Sequence, residues 1–154
     1  MNDETRVDDI YLRRALDAAR ASRAGGNHPF GACVVLNGSM LTEAGNNSVP
    51  GKGAATEHAE LIAAREASRI WSAAELADAT LYSSAEPCAM CAGAISHARL
   101  RRLYYGAADA KGGAVDHGPR FFSQPTCLHA PETYSGMAES EAAEMLKAFF
   151  KGLR

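Results

Sequence analysis

Two short motifs in the sequence combine residue types that bind zinc. Cys88 and Cys91 lie three residues apart in the P-C-A-M-C motif at 87–91, so both thiolates face the same way in the first turn of a helix. A helix N-terminus stabilises negative charge and lowers the pKa of a thiol, which makes thiolates available to a metal. His58, in the H-A-E motif at 58–60, supplies a third ligand. Three protein ligands with an open fourth position are typical of catalytic zinc.

Glu60 favours a catalytic site over a structural one. It follows His58 by two residues, so it lies near the metal and can face the open position. A carboxylate there can take a proton from a zinc-bound water and pass it to a substrate nitrogen. The sequence therefore predicts a hydrolytic site in which Glu60 carries the proton.

A structural zinc site and a redox pair are the alternatives to this interpretation. A closed structural site would take its fourth ligand from Cys33, Cys127 or His129. The two motifs occur together, each at a predicted helix start, which disfavours that site. A thioredoxin-like pair lacks a second redox partner and the matching strand context. A module that binds zinc or RNA without catalysis is a third alternative, and the presence of Glu60 argues against it.

The composition describes a chain that can form one packed domain, 1–154. Hydrophobic residues make up 47% and charged residues 22% of the 154 residues, which allows a core. No apolar run approaches the roughly 20 residues of a membrane helix, and the polar N-terminus does not resemble a signal peptide. Four cysteines without an export signal indicate a reducing compartment, so we expect a cytoplasmic protein.

Helices and strands are expected to alternate along the chain. In the first half, the patterns predict a helix from about 8 to 24, a strand within 28–36, a hairpin turn at 37–38, a strand at 40–44 and a loop at 45–55. A helix capped by Thr56 and running to about 71, a strand at 80–84 and a helix from Pro87 to 98 are expected next. The remainder predicts a strand at 103–105, an irregular segment at 106–135 and a helix from 139 to about 153. This alternation favours an α/β sandwich with a mixed sheet covered on both faces. Segment 106–135 is too long for a plain connection, so part of it is expected to have a function.

At these residues the chain resembles the cytidine/deoxycytidylate deaminase superfamily over nearly its whole length. The resemblance is carried by the H-x-E and P-C-x-x-C motifs and by ATLYSSAEPCAMCAGAI at 79–95, which is similar to the family's strand and zinc helix. It implies a three-layer sandwich with a five-stranded mixed sheet between helices. It also implies a zinc ion bound by His58, Cys88 and Cys91, with Glu60 as the proton shuttle, a homodimer, and hydrolytic removal of an exocyclic amine as ammonia.

The resemblance implies substrate contacts as well. Asn46 matches the family's base-contacting asparagine, the backbone around Ala59 would hydrogen-bond the edge of the base, and Phe30 would lie beside the pocket. Glu86 is a further candidate for substrate binding, although it can also favour the dipole of the helix that follows it.

Two branches of the superfamily are possible, and they differ in substrate. Residues 106–154 resemble bacterial tRNA adenosine deaminases, whereas Phe30 and segment 46–49 are more similar to guanine and nucleoside deaminases. Segment 54–57 departs from the usual pattern of the tRNA adenosine deaminases. RNA binding needs phosphate contacts, and 16 Lys and Arg against 18 Asp and Glu give a net charge of −2. We therefore expect a free base or nucleoside as the substrate, with the wobble adenosine of a tRNA anticodon loop as the alternative.

Overall fold

A five-stranded mixed sheet lies at the centre of the computed structural model, which describes residues 3–151. Its strands are Gly31–Leu36 (β1), Ser39–Gly45 (β2), Thr80–Ala85 (β3), Arg102–Ala107 (β4) and Glu132–Ser135 (β5). Their order across the sheet is β2-β1-β3-β4-β5. Strand β1 is antiparallel to β2 and β3, whereas β3, β4 and β5 are parallel. The predicted mixed sheet is therefore confirmed.

Helices cover both faces of this sheet. They are Asp3–Ala24 (α1), Ala59–Ile70 (α2), Ala73–Leu76 (α3), Ala89–Ala98 (α4) and Glu139–Lys151 (α5). Alternate residues of β1 face different layers, because Val34 packs in a core with α2 while Cys33 and Val35 pack in a core with α1. The result is the predicted three-layer sandwich. Among the described residues, no helix is both long and apolar enough to cross a bilayer.

The hairpin between β1 and β2 forms as predicted. Asn37 and Gly38 have φ angles of 51° and 76°, so both lie in the left-handed region that a two-residue hairpin turn requires. This turn returns β2 along β1, and β2 ends at Gly45, directly before Asn46. The hairpin therefore brings Asn46 back to the start of β1, where the backbone N–H of Asn46 donates to the carbonyl of Phe30 at 2.9 Å.

Three helix starts differ from the prediction. Helix α1 begins at Asp3 rather than near residue 8, since segment 3–9 contains no helix-breaking residue. Helix α2 has His58 rather than Thr56 as its N-cap, because the N–H of Glu57 donates to the carbonyl of Ala54 at 2.8 Å and closes a turn first. Helix α4 has Cys88 as its N-cap, so Pro87 precedes the helix instead of opening it.

Two elements were missed. Helix α3 has four residues and is held by a capping box, in which Ser72 and Glu75 bond to each other's backbone N–H. Strand β5 is an exposed edge strand within the segment predicted to be irregular, and it lacks the buried alternation that marks a strand. The segment 106–135 also contains a 3₁₀ turn at Phe121–Ser123. The first two residues of the segment, 106 and 107, belong to β4. The predicted end of α5 near residue 153 lies outside the described residues.

Candidate active site

His58, Cys88 and Cys91 come together where α2 and α4 begin. Their potential ligand atoms all lie within 4.8 Å of one another. His58 and Cys88 are the N-cap residues of the two helices, and neither side chain caps its own helix. Both side chains are therefore free to face each other, and the Sγ of Cys88 lies 3.5 Å from the Nδ1 of His58. The structure brings the three predicted ligands together.

The electrostatics of this cluster suit a metal cation. A hydrogen bond from the Cys91 side chain, with help from the Cys91 N–H and from His58, lowers the pKa of Cys88 to about 5. The same hydrogen bond raises the pKa of Cys91, and burial raises it further. Two sulfurs and one imidazole nitrogen form a donor set that zinc takes in proteins. The residues present therefore fit a zinc ion.

Candidates for a fourth protein ligand lie elsewhere. Cys33 is buried in β1 and donates to the carbonyl of Tyr11. Cys127 and His129 lie near Ser96 in the second half of α4, where the hydroxyl of Ser96 donates to the carbonyl of His129 at 2.7 Å. Within residues 3–151 the metal-binding group therefore has three members, which leaves the fourth position open.

Glu60 lies in the first turn of α2, beside the cluster. It is 5% exposed and lines the same cavity as His58 and Cys88. Burial, together with the negative charge of Cys88, raises the pKa of its carboxyl group to about 7. A carboxyl group that titrates near neutral pH can both accept and donate a proton, as the predicted shuttle requires.

The cavity in front of these residues has a volume of about 190 Å³. That is below the range of about 300–1,000 Å³ typical of pockets for drug-sized ligands, so it suits a group as small as one base. The lining residues are His28, Phe30, Asn46, His58, Glu60, Glu86, Cys88, Asp109 and Gly112. Ala59 is fully buried between His58 and Glu60, and its predicted backbone contact with a base stays a prediction. His28, Asp109 and Gly112 were not predicted, because neither residue type nor spacing distinguishes them in the sequence.

Asn46 lines this cavity, and one half of its side-chain amide is already hydrogen-bonded. Its Oδ1 accepts hydrogen bonds from the N–H and the hydroxyl of Ser48, both at 3.0 Å. A backbone N–H can only donate, so the oxygen of the amide must face Ser48. The Nδ2 of Asn46 has no partner among the described residues and is left as a donor for a ligand.

Glu86 also lines the cavity, but a loop occupies its carboxylate. The oxygens accept hydrogen bonds from four backbone N–H groups of segment 109–117 and lie 2.7 Å from the Nδ1 of His117. Burial alone would raise the pKa of Glu86, but these bonds outweigh it and lower the pKa. This role was missed because the partners are 23 to 31 residues away and carry no recognisable pattern.

Comparison with known proteins relates this arrangement to a family. Residues 5–107 match the family model described as the cytidine and deoxycytidylate deaminase zinc-binding region. A tRNA-specific adenosine deaminase from Agrobacterium fabrum is 49% identical over 144 residues, which cover 94% of each chain.

Two solved structures are similar over most of the chain. One comes from a study of A-to-I editing by tRNA:A34 deaminases at the wobble position of transfer RNA. It has a TM-score of 0.82 and 49% identity, and the match covers 89% of this chain and 99% of that one. The other is a guanine deaminase from Bacillus subtilis, with a TM-score of 0.61, 31% identity, and coverage of 98% and 95%.

Proposed function

Because the chain belongs to the cytidine and deoxycytidylate deaminase family and is a zinc-dependent deaminase, we propose that it converts adenosine to inosine at the wobble position of a tRNA anticodon. The observation that carries this proposal is the 49% identity, over 94% of each chain, to a tRNA-specific adenosine deaminase. The guanine deaminase structure is only 31% identical. These similarities favour the alternative substrate over the free base or nucleoside that the net charge favoured, and a small-molecule partner has no support from them.

The second half of helix α5 carries two lysines near the site, and these support an RNA substrate. The ring of Phe149 lies 5.6 Å from the ring of His28, a residue that lines the cavity. Lys147 and Lys151 line a neighbouring cavity together with Ala108, which directly precedes the cavity residue Asp109. Lysines placed in this way can contact the phosphates that flank a base held in the site. The net charge of −2 is the sum over the whole chain, so it does not describe the local charge at Lys147 and Lys151.

The proposed mechanism assigns a role to each residue of the site. His58, Cys88 and Cys91 would hold zinc, which when bound lowers the pKa of a water molecule and so supplies a nucleophile at neutral pH. Glu60 accepts one proton from the attacking water and donates it to a ring nitrogen, then accepts the second proton of the same oxygen and donates it to the amine, which departs as ammonia. A buried carboxyl group with a pKa of about 7 is suited to both steps.

Three further residues would orient the base. The Nδ2 of Asn46 donates to an acceptor atom on the base, since its Oδ1 is already bonded to Ser48. The side chain of Phe30 packs against one side of the bound base, and the backbone around Ala59 bonds to its edge. These contacts position the amine-bearing carbon for attack.

A second copy of this chain is the other proposed partner. Gly93 lies in the middle of α4, and a Cβ added there would meet open space. A glycine inside a helix costs roughly 0.5–1 kcal/mol relative to alanine, which is understandable where another surface must approach closely. We propose that α4 packs in a homodimer at Gly93, and sedimentation analysis tests this, because a monomer at all concentrations would contradict it.

All four cysteines are free thiols, as expected for the cytoplasmic location that stays a prediction.

The substrate is tested by comparing RNA with small molecules. The zinc-loaded protein is incubated with an anticodon stem-loop carrying a wobble adenosine and, separately, with adenine, guanine, cytosine and their nucleosides. We expect inosine in the RNA and no ammonia from the small molecules. Release of ammonia from guanine or a free nucleoside, without change in the RNA, would contradict the proposal.

A further inference from the structure

Glu86 occupies an unusual place between the sheet and the metal-binding helix. It follows β3, which ends at Ala85, and lies two residues before Cys88. Its side chain has no exposed surface. Burying a carboxylate costs folding free energy unless its oxygens are hydrogen-bonded. The hydrogen-bond partners of Glu86 therefore indicate what its carboxylate does at this position.

Among residues 3–151, the loop formed by residues 109–117 supplies all the hydrogen-bond partners of this carboxylate. Its Oε1 accepts from the N–H of Asp109 at 3.1 Å and lies 2.7 Å from the Nδ1 of His117. Its Oε2 accepts from the N–H groups of Val115, Asp116 and His117 at 3.1, 3.0 and 3.2 Å. The backbone of one loop thus converges on a single side chain.

The backbone of the loop also packs directly on the carboxylate. A Cβ added at Gly113 would lie 2.4 Å from the Cδ and from the Oε2 of Glu86. No side chain larger than hydrogen fits there without moving the loop or Glu86. The loop is therefore complementary to the carboxylate in shape at Gly113, in addition to the hydrogen bonds that its other residues donate.

The same loop forms one wall of the active-site cavity. Asp109 and Gly112 line the cavity, and the N–H of Ala114 donates to the carbonyl of Pro87 at 2.9 Å. The loop is otherwise irregular, and its internal contacts include those from the N–H groups of Lys111 and Gly112 to the Oδ1 of Asp109. The hydroxyl of Tyr105 also donates to the carboxylate of Asp116, so Glu86 is not the loop's sole attachment. Glu86 nevertheless accepts four of the loop's backbone N–H groups and contacts His117, which makes it the largest single anchor of this wall.

We propose that Glu86 is a positioning residue that fixes loop 109–117 as a wall of the cavity and thereby sets substrate affinity without touching the substrate. The inference rests on the proposed function for the substrate, but the attachment of the loop does not depend on it. A carboxylate is required because every partner is a backbone donor or an imidazole that can donate. A glutamine would keep one acceptor oxygen and place an NH₂ group against N–H groups, which repel it.

The test compares three variants of the zinc-loaded protein. Glu86→Gln removes half of the acceptor capacity, whereas Gly113→Ala keeps the carboxylate group but adds a Cβ that collides with it and with the carbonyl of Asp109. Glu66→Gln is the matched control, because it makes the same chemical change on a half-exposed side chain of α2 that pairs with Arg65. Zinc content and amide hydrogen exchange are measured without substrate, so these readouts are independent of the substrate's identity. Steady-state kinetics follow on the substrate that the wild-type protein converts.

We expect exchange of the 109–117 amides to be about tenfold faster in Glu86→Gln and in Gly113→Ala, with wild-type zinc content. We expect KM to rise about tenfold with a smaller change in kcat, because a displaced wall weakens binding more than chemistry. Glu66→Gln should match the wild type in every readout. Unchanged amide exchange, a loss confined to kcat, or a loss of zinc that parallels the loss of activity would each overturn the proposal.

Discussion

The Sγ of Cys88 lies 3.5 Å from the Nδ1 of His58, although the two residues are 30 positions apart in the chain. Each is the N-cap of its helix, so the contact is made where two helix N-termini meet. Hydrogen bonds from the side chain and the N–H of Cys91, together with the contact with His58, lower the pKa of Cys88 to about 5. The contact between α2 and α4 therefore creates the metal-binding group from two separate segments.

Loss of one sulfur ligand should remove the metal. Cys91→Ser replaces a buried thiol that belongs to the metal-binding group, so zinc content and activity are both expected to fall to near background. Cys127→Ser is the matched control, because Cys127 lies against Ser96 and outside that group. The zinc content of both purified variants is measured by elemental analysis and compared with that of the wild type. Equal loss of zinc in Cys127→Ser would show that Cys127 is a fourth ligand.

The amide of Asn46 should matter for its nitrogen alone. Asn46→Asp keeps an oxygen to accept from Ser48 and replaces the free Nδ2 with a second acceptor. A lost hydrogen bond in a buried site costs about 1–3 kcal/mol, so kcat/KM should fall about 5- to 150-fold while zinc content is unchanged. Ser48→Ala keeps the backbone N–H and is expected to have a much smaller effect. A wild-type kcat/KM in Asn46→Asp would remove Asn46 from substrate binding.

The lysines of α5 should contribute to RNA affinity. In the double variant Lys147→Ala, Lys151→Ala, we expect weaker RNA binding, and a slope of log affinity against log salt that is shallower by about 0.7 for each lost phosphate contact. Arg69→Ala, which removes an exposed cation at the opposite end of α2 from His58, serves as the control. Binding is measured by titration at several salt concentrations. An identical slope in the double variant and the wild type would exclude these lysines from the RNA interface.

The packing of α1 on the sheet should tolerate no side chain at Gly31. A Cβ there would lie 2.2 Å from the carbonyl oxygen of Ala15 and 2.5 Å from the nitrogen of Ala19. Overpacking of this kind typically costs about 1–3 kcal/mol, so thermal unfolding of Gly31→Ala should begin at a clearly lower temperature. In Gly25→Ala the added Cβ would lie 3.5 Å from its nearest neighbours, which is an ordinary van der Waals distance. The loss of stability in this control variant should therefore be small. Equal stability of both variants would contradict the described packing.

Local signals in the sequence were enough for the metal ligands and most of the elements. The spacing of Cys88 and Cys91 places them on one helix turn, and the structure groups them with His58. Family membership confirms a zinc-dependent deaminase, whereas the catalytic role of Glu60 stays a prediction. Strand β5 was missed because its exposed edge position leaves no burial pattern to detect.

Other parts of the site depend on contacts between distant segments. The hydrogen-bond donors to Glu86 come from an irregular loop 23 to 31 residues later in the chain, so no periodicity or motif in the sequence predicts these contacts. The substrate was harder still. A net charge describes the whole chain, whereas the proposed RNA contact depends on where α5 places Lys147 and Lys151, which line a cavity together with Ala108.

Inosine formation at the wobble adenosine of an anticodon stem-loop, compared between wild type and Glu60→Gln, tests the central claim most directly. Both proteins are loaded with zinc, and the RNA product is identified by mass spectrometry. We predict that the wild type forms inosine, and that Glu60→Gln keeps its zinc and its melting temperature but reacts about 10²–10⁴-fold more slowly. Wild-type turnover in Glu60→Gln, or no inosine from a zinc-loaded wild type, would contradict the account.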